Sequence, residues 1–412
     1  MFDQFLAPFK NGFFVKIINI VFDFLPLWLP IVLFSLFIQT WLRYVRTKWI
    51  MEQKTILLEI KLPKEIFKSP AAMEVIISTF AQPSTGNYID VFLKGRIRQW
   101  FSLELVSIGG QVKFFIWTQE KSKNYIESQI YAQYPTVEIH EVPDYSLDVI
   151  FEPKKISVFG AQLKLNKADA YPIKTYVDYG LDKSAEEEEK IDPITPVMEY
   201  LGSLKAGEQA WIQILIQAHR SEGLKDARIF KKQDWKDAAK KEIKKMVEKE
   251  AYVKGAEDKP ASFLQLTSTQ LETVKAIERS LSKQAFDTMI RVVYLAETEA
   301  FNSANVGGLM GSFKQFGSNN LNSFGVGWNV GYDYPWEDFK GIRSLKNQRQ
   351  IIDAYKRRSF FNIPYRNFHG KPFILTTEEL ATIFHFPGGV AQTPTFSRIA
   401  AKKSEAPFNI PI

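Results

Sequence analysis

The sequence predicts an α+β protein that begins with a transmembrane helix, continues as two ferredoxin-like domains and ends in a basic, partly extended region. Three observations lead to this fold class. An uncharged run of 19 residues lies near the amino terminus. After it, hydrophobic patterns follow a β-α-β-β-α-β order that recurs once with insertions. Finally, Lys and Arg are concentrated in the carboxyl-terminal part.

The uncharged run extends from Phe24 to Leu42 and nearly reaches the roughly 20 residues that a helix needs to cross the hydrocarbon core. Trp41 and Tyr44 lie near its end, as aromatic residues do at a membrane interface. A cleaved signal peptide is the main alternative, but no small-x-small cleavage site follows the long apolar run. We therefore predict a membrane anchor in residues 1–50.

Basic residues after the apolar run determine the predicted topology. Arg43, Arg46, Lys48 and Lys54 follow it, whereas two lysines before it are offset by two aspartates. The positive-inside rule then predicts a single pass through the inner membrane with the carboxyl-terminal part in the cytoplasm. Upstream, apolar residues between Phe2 and Ile20 recur at helical spacing. They fit either an amphipathic helix on the outer surface or a longer, tilted span.

Residues 51–150 are predicted to form the first ferredoxin-like domain. The predicted elements are a strand Thr55–Leu62, a helix from Pro70, strands Trp100–Ile108 and Val112–Thr118, a helix Lys123–Tyr134 and a strand Thr136–Val142. Gly109 and Gly110 join the two central strands, as a tight hairpin turn requires. A sheet with helices on one face would bury these alternating strands.

Residues 151–300 are predicted to repeat this order with a helical insertion. The predicted elements are strands Ile156–Leu165 and Ala170–Val177, a helix Thr195–Leu204 after the acidic loop Glu186–Glu189, a strand Gln209–Ala218, a helix Asp234–Val253, a second helix and a strand Thr288–Ala296. Thr267 and Gln270 form a capping box for that second helix. The sequence similarity of the two halves is too low to establish a repeat by itself.

Several kinds of chemistry are absent from the sequence. There is no cysteine, which excludes disulfides and thiolate metal sites, and there are only four histidines. No G-x-x-x-x-G-K-[ST] loop, G-x-S-x-G elbow or H-E-x-x-H pair occurs. We therefore expect no enzymatic activity, no catalytic residues, no metal site and no cofactor.

Residues 301–387 are predicted to form a Gly-, Asn- and Phe-rich and then basic region. Ser303–Phe316 fits a helix that leads into a loop. Between Lys340 and Lys371 there are nine basic residues and one acid, a local net charge of +8. Candidate contacts to nucleic acid or an anionic surface are Arg343, Lys346, Arg349, Lys356, Arg357, Arg358 and Arg366. Aromatic residues interleave with them, so nucleic acid, anionic lipid and a protein or solvent-facing surface all remain open.

The segment Phe373–Pro387 (FILTTEELATIFHFP) predicts a short helix, capped by Thr376 or Thr377 and stopped by Pro387. Its apolar face fits either a helix that docks a partner or a packed core helix. The candidate docking residues are Glu379, Leu380, Ile383, Phe384, His385 and Pro387. Residues 388–412 are predicted to be an extended tail.

Leu375–Pro387, with Thr393, Pro394 and the tail Lys403–Pro411, resembles the membrane-proximal, non-motor region of HerA/FtsK-like ATPases of conjugative, type IV secretion systems. Arg291–Phe324 is similar to an uncharacterised membrane-anchored family of small-genome bacteria. In the ATPases a motor domain with a Walker A loop follows such a region, whereas here the sequence stops at Ile412. The resemblance implies an anchor and docking module whose ATP hydrolysis is supplied by a separate chain.

These observations together predict a single-pass membrane scaffold or accessory subunit of a DNA or protein translocation apparatus. The expected partners are a motor ATPase in a separate chain, the membrane, DNA and, as a homo-oligomer, further copies of the chain. The alternative hypothesis is a membrane-tethered nucleic-acid-binding module unrelated to secretion.

Overall fold

A computed structural model of the chain describes residues 16, 22–63, 68–183, 191–221, 223, 234–253, 266–334 and 336–388. They fall into two compact units, the first drawn from Met1–Glu52 and Thr85–Ile97 and the second from Gln53–Ser84 and Arg98–Ile412. The apolar residues of the predicted amphipathic helix, the acidic loop Glu186–Glu189 and the tail after residue 388 lie outside the described residues.

Helices and strands alternate along most of the described chain. The helices are α1 Leu25–Glu52, α2 Pro70–Thr79, α3 Tyr88–Phe92, α4 Lys123–Gln133, α5 Thr195–Gly202, α6 Trp235–Val253, α7 Ser268–Leu281, α8 Ser303–Gly311, α9 Ile342–Lys356 and α10 Thr377–Ile383. The strands are β1 Thr55–Lys61, β2 Trp100–Ile108, β3 Gln111–Gln119, β4 Glu138–Val142, β5 Ile156–Leu165, β6 Glu208–Ala218, β7 Ala285–Glu297, β8 Phe324–Asn329 and β9 Phe373–Thr376.

The first unit contains the long apolar helix and a short one. α1 has 28 residues, and its most apolar window has a mean hydropathy of 1.8 and is almost entirely unburied. It is long and apolar enough to cross a membrane. A signal sequence would meet the same two criteria. α3 starts at a capping box, in which the side chains of Asn87 and Asp90 each accept a hydrogen bond from the other's backbone N–H.

The strands of the second unit form one antiparallel sheet. Its order is β4-β1-β3-β2-β6-β7-β5-β8, and β9 pairs with the beginning of β7. β2 and β6 pair along their whole common length, from Trp100 opposite Gln217 to Ile108 opposite Gln209. The prediction of an α+β fold with an apolar amino-terminal helix is therefore confirmed.

The hairpin between β2 and β3 turns at the two glycines that the sequence indicated. Gly109 and Gly110 have φ angles of +58° and +82°, and the register pairs Ile108 with Gln111. A Cβ atom at Gly110 would lie 2.5 Å from the carbonyl oxygen of Leu204. Glycine is therefore required both by the backbone conformation and by the neighbouring chain.

One face of the sheet carries the main hydrophobic core. Side chains alternate along each strand, so Phe101, Leu103 and Leu105 of β2 point to this face together. Five helices, α2, α4, α5, α8 and α10, add their apolar residues to it. These include Met73, Ile77, Ile126, Ile130, Met198, Leu201, Leu309, Leu380 and Phe384. α6 and α7 make a smaller cluster in which Trp235 packs with Ile277.

The opposite face of the sheet is also buried, and it combines apolar side chains with polar and charged ones. Glu104 of β2, Gln213 of β6 and Arg291 of β7 each have 0% exposure there. α9 covers this face beside β5, where a Cβ added to Gly160 would lie 2.6 Å from the side chain of Ile351. Charged side chains therefore lie in the interior of the second unit, between the sheet and the segment that contains α9.

The predicted strand Ala170–Val177 is wrong, since these residues form turns. Two of their backbone N–H groups bond to side chains of α10, while that of Lys174 donates to the carbonyl oxygen of Phe316. Ile173 N donates to Glu379 Oε1 at 2.9 Å. Tyr176 N donates to Thr382 Oγ1 at 3.0 Å. Residues 170–177 thus form an irregular segment whose backbone is satisfied partly by side chains of α10.

The region after residue 300 is more regular than predicted. Phe324–Asn329, predicted as loop, is the edge strand β8 beside β5. α9 occupies Ile342–Lys356 within the stretch predicted to be partly extended. Conversely, α8 ends at Gly311 and only a 3-10 turn, Lys314–Phe316, continues it. The three glycines of α8 lower its helix propensity, which accounts for the early end.

Candidate interaction surface

The seven basic residues predicted to contact an anionic partner lie in three different environments. Five are exposed, four of them on or at the end of α9 and one beyond it: Arg343, Lys346, Arg349, Arg357 and Arg366. Lys356 is partly buried, and its Nζ donates to the carbonyl oxygen of Val149 at 2.6 Å. Arg358 is only 1% exposed. The basic stretch is therefore not one continuous cationic surface.

Exposed apolar side chains adjoin the basic face of α9. Trp336 is 77% exposed, Phe339 74% and Ile342 64%. The ring of Tyr334 stacks on that of Trp336, with centroids 4.7 Å apart. We call the following residues the aromatic–basic surface: Tyr334, Trp336, Phe339, Lys340, Ile342, Arg343, Leu345, Lys346 and Arg349. Large apolar side chains exposed beside cations are typical of a surface that binds a partner.

A hydrogen-bonded turn holds the aromatic residues next to α9. Asp338 Oδ1 accepts from Arg343 N at 2.7 Å, and Asp338 Oδ2 accepts from Ser344 N at 3.0 Å. Lys340 and Gly341 both have positive φ angles, which reverse the chain before the helix begins. The aspartate thus satisfies backbone donors at the start of α9, as a capping side chain does.

The sequence pattern indicated partly different aromatic residues. Tyr355 and Phe360 interleave with the basic residues but are 0% and 1% exposed. Tyr334 and Trp336 precede Lys340, where the predicted stretch began. They occur in YDYPWEDF, where aromatic residues recur without helical or strand alternation between acidic residues and a proline. That lack of periodicity is the signal by which they could have been found.

Arg358 joins the segment after α9 to the face of the sheet that carries Glu104. Its Nε and Nη2 donate to the two oxygens of Glu104 at 3.0 and 3.1 Å. Both Nη atoms also donate to the carboxylate of Asp144. Burial disfavours the charged guanidinium, but Glu104 and Asp144 outweigh it and hold the pKa of Arg358 well above its ordinary value. The expectation that Arg358 faces a partner is therefore corrected: it is bound inside the protein.

Further polar side chains extend this buried network. Tyr145 Oη donates to Glu104 Oε2 at 2.8 Å and lies 2.7 Å from the hydroxyl of Tyr355. Arg291 Nη1 donates to Gln213 Oε1 at 2.8 Å, and within the described chain no carboxylate forms an ion pair with this arginine. Burial lowers the pKa of Arg291 to about 9. The network thus links β2, β6 and β7 to α9.

The residues predicted to dock a partner lie in the core of the second unit. All six are buried: Glu379, Leu380, Ile383, Phe384, His385 and Pro387. Glu379 forms a capping box with Thr376, and burial raises the pKa of its carboxyl group to about 7. Of the two alternatives for this segment, the packed core helix is the one that the structure contains. α10 therefore offers no exposed docking face at these residues.

Two histidines lie within hydrogen-bond distance of partly buried aspartates. The Nε2 of His385 lies 2.9 Å from Asp192 Oδ1, and its Nδ1 lies 2.9 Å from the carbonyl oxygen of Ala381. Burial opposes ionisation of Asp192, but His385 outweighs it and holds the pKa of this carboxyl below its ordinary value. The Nδ1 of His219 lies 2.6 Å from Asp287 in the same way. Among the described residues, no group of three or more His, Asp and Glu side chains could hold a metal ion.

A family model matches most of this architecture. It covers residues 49–398 and is described as a domain of unknown function, DUF8128. The chain belongs to the DUF8128 family. No curated protein matches it. The DUF8128 region contains both the network around Arg358 and the aromatic–basic surface, whereas the uncharged run Phe24–Leu42 precedes it.

Proposed function

We propose that this DUF8128 protein is a single-pass membrane scaffold that binds a partner through its aromatic–basic surface, with its carboxyl-terminal part in the cytoplasm. The observation that carries the proposal is the contrast between its buried and exposed charges. Glu104 and Arg358 are bound to each other in the interior, while Lys346 and Arg349 lie exposed beside large apolar residues. Groups committed to internal ion pairs are not available to a partner, whereas exposed aromatic and cationic groups are.

In this proposal, the sheet of the second unit consists of two ferredoxin-like halves joined edge to edge. The strand order β4-β1-β3-β2 and the order β8-β5-β7-β6 correspond when each half is numbered along the chain. Helices occur between the first and second and between the third and fourth strands of each half. Apart from the additional helices α6 and α7 in the second half, this order fits the split βαβ pattern and supports an internal duplication.

The proposed setting is a translocation apparatus in the inner membrane, with a motor ATPase as a separate chain. This part rests on the resemblance of Leu375–Pro387 to the membrane-proximal region of type IV secretion ATPases. Because α10 is buried, we assign the docking contact to the aromatic–basic surface. Trp, Tyr and Arg are enriched among the residues that dominate binding energy at protein interfaces. The expected partner surface is acidic with an apolar centre.

Charge reversal on α9 tests the proposal. The full chain is solubilised and purified with either Lys346→Glu and Arg349→Glu or the matched changes Lys236→Glu and Lys240→Glu on exposed positions of α6. We expect a Walker-bearing ATPase, detected by ATP hydrolysis and by mass spectrometry, to co-purify with the α6 variant and to be absent from the α9 variant. Equal recovery with both variants would reject this docking surface.

Nucleic acid is the second candidate partner, favoured by the interleaving of aromatic rings and cations on this surface. Cations neutralise phosphates and exposed rings stack on bases, so single-stranded DNA is the suitable probe. Replacing Lys346 and Arg349 by alanine should make the dependence of binding on salt less steep, by roughly one in the log–log slope for each phosphate that the protein no longer neutralises. Absence of binding at low salt would exclude this function.

A further inference from the structure

The short helix α3 presents apolar side chains to solvent. Tyr88 is 57% exposed, Ile89 58% and Leu93, at its carboxyl cap, 60%. The ring of Phe92 stacks on that of Tyr88 with centroids 6.2 Å apart. Three large apolar residues are thus exposed within six positions. Such a concentrated patch would be stabilised by leaving water.

This helix is fastened to α1 at one turn. Trp41 Nε1 donates to the carbonyl oxygen of Phe92 at 2.7 Å. The backbone of Gly95 lies against α1, since a Cβ atom there would be 2.2 Å from the carbonyl oxygen of Val45. Gly95 has a φ angle of +70°, so both the turn and the close approach require glycine. The patch on α3 is therefore held at the level of Trp41 and Val45 along α1.

That level is where the character of α1 changes. The uncharged run ends at Leu42, and Arg43 is the first cation after it. In a membrane-spanning α1 this turn would lie at the boundary between hydrocarbon and water, where Trp and Tyr are enriched. Lys94 and Arg96 are exposed directly after the patch, and cations there suit the phosphates of lipid headgroups.

We propose that α3 is a second membrane contact, lying in the interface of the bilayer with Tyr88, Ile89 and Leu93 among the lipid chains. The proposal rests on the proposed membrane anchoring by α1. Lipid is favoured over a protein partner because the patch is continuous with a helix suited to a membrane.

Site-specific labelling tests the proposal, because the chain has no cysteine and a single introduced one can be labelled alone. The full chain with Ile89→Cys carries an NBD fluorophore in vesicles of phosphatidylethanolamine and phosphatidylglycerol. Leu33→Cys in α1 reports on the anchor, and Lys240→Cys on exposed α6 is the aqueous control. Leu93→Cys provides a second label position on α3, should the label at Ile89 disturb the helix.

We expect labels at Ile89 and Leu33 to be quenched by doxyl lipids and protected from aqueous iodide, with the opposite result at Lys240. Iodide quenching at both α3 positions, with lipid quenching at Leu33, would overturn the proposal while leaving the anchor intact. Iodide quenching at Leu33 as well would overturn the anchor and with it the proposal. Protection of α3 from both quenchers would indicate a protein partner or a second copy there, and would also overturn it.

Discussion

The guanidinium of Arg358 and the carboxylate of Glu104 form a bidentate ion pair across 254 residues of sequence, with N–O distances of 3.0 and 3.1 Å. Their side chains are 1% and 0% exposed. Arg358 has a φ angle of +45°, a left-handed conformation that costs free energy for a residue other than glycine. The ion pair therefore fixes the end of α9 on the sheet at a backbone position that a helix end usually gives to glycine.

Replacing Arg358 by alanine should strongly destabilise the fold. The change leaves the Glu104 carboxylate buried without its cation, and breaking a buried pair in this way costs about 3–5 kcal/mol. The measurement is the free energy of unfolding of the detergent-solubilised chain in urea. Arg357→Ala is the control, because this adjacent arginine is exposed and pairs only with Asp353 in the described chain. Its removal should cost less than about 1 kcal/mol, and equal costs would contradict the structural role of Arg358.

The different environments of Arg357 and Arg358 could not be predicted from the sequence. Both belong to one run of basic residues, and such a run usually lies on a solvated face. What separates them is the reversal of the backbone after α9, which turns Arg358 inward to a carboxylate on β2. By contrast, the Gly109–Gly110 hairpin and the Thr267 capping box depend on neighbouring residues only, and both predictions are confirmed.

The pKa of Glu379 predicts how stability depends on pH. Burial raises this pKa from its ordinary value of 4.5 to about 7, so the folded chain retains a proton that the unfolded chain has released between those pH values. The stabilising contribution is complete below pH 4.5 and is lost as the pH rises through 7. At about 1.4 kcal/mol per pKa unit, the loss is on the order of 3 kcal/mol.

Glu379→Gln should remove this pH dependence, because a neutral glutamine still completes the capping box with Thr376. The measurement is the free energy of unfolding of both proteins from pH 4.5 to pH 7. Wild type should lose stability relative to the variant over this range. Glu299→Gln, at an exposed position, is the control and should leave the profile unchanged. Parallel profiles for wild type and Glu379→Gln would show that burial does not raise this pKa.

The burial of α10 shows a second limit of sequence reasoning. The spacing of Leu380, Ile383 and Phe384 correctly predicted a helix with one apolar face, but core and docking helices share that pattern. The deciding contact is Glu379 with the backbone of Ile173, more than two hundred residues earlier. The segment around Ile173 was itself predicted as a strand. The sequence therefore offered no reason to expect a contact between this segment and Glu379.

Gly95→Ala should loosen α3 from α1. The added Cβ would meet the Val45 carbonyl oxygen at 2.2 Å, and the backbone conformation disfavours alanine as well. We expect faster hydrogen–deuterium exchange in a peptide covering residues 88–97. Gly180→Ala is a matched control, since Gly180 has a φ angle of +71° and no atom within 4 Å of an added Cβ. Exchange around residue 180 in Gly180→Ala should therefore rise less than exchange around α3 in Gly95→Ala. Equal increases would show that backbone strain, and not the contact with α1, causes the effect.

Replacing Trp336 should change the stability of the fold far less than replacing Trp211, because Trp336 is exposed and Trp211 is buried. Trp336 is 77% exposed and Trp211 0%. Changing Trp336 and Phe339 to serine should alter the free energy of unfolding by about 0.5 kcal/mol or less, as surface substitutions do. Trp211→Ala should cost about 3–5 kcal/mol, because it opens a cavity under α9. A partner that binds the aromatic–basic surface should no longer bind the stable Trp336 and Phe339 variant, and retained binding would exclude those two residues from the interface.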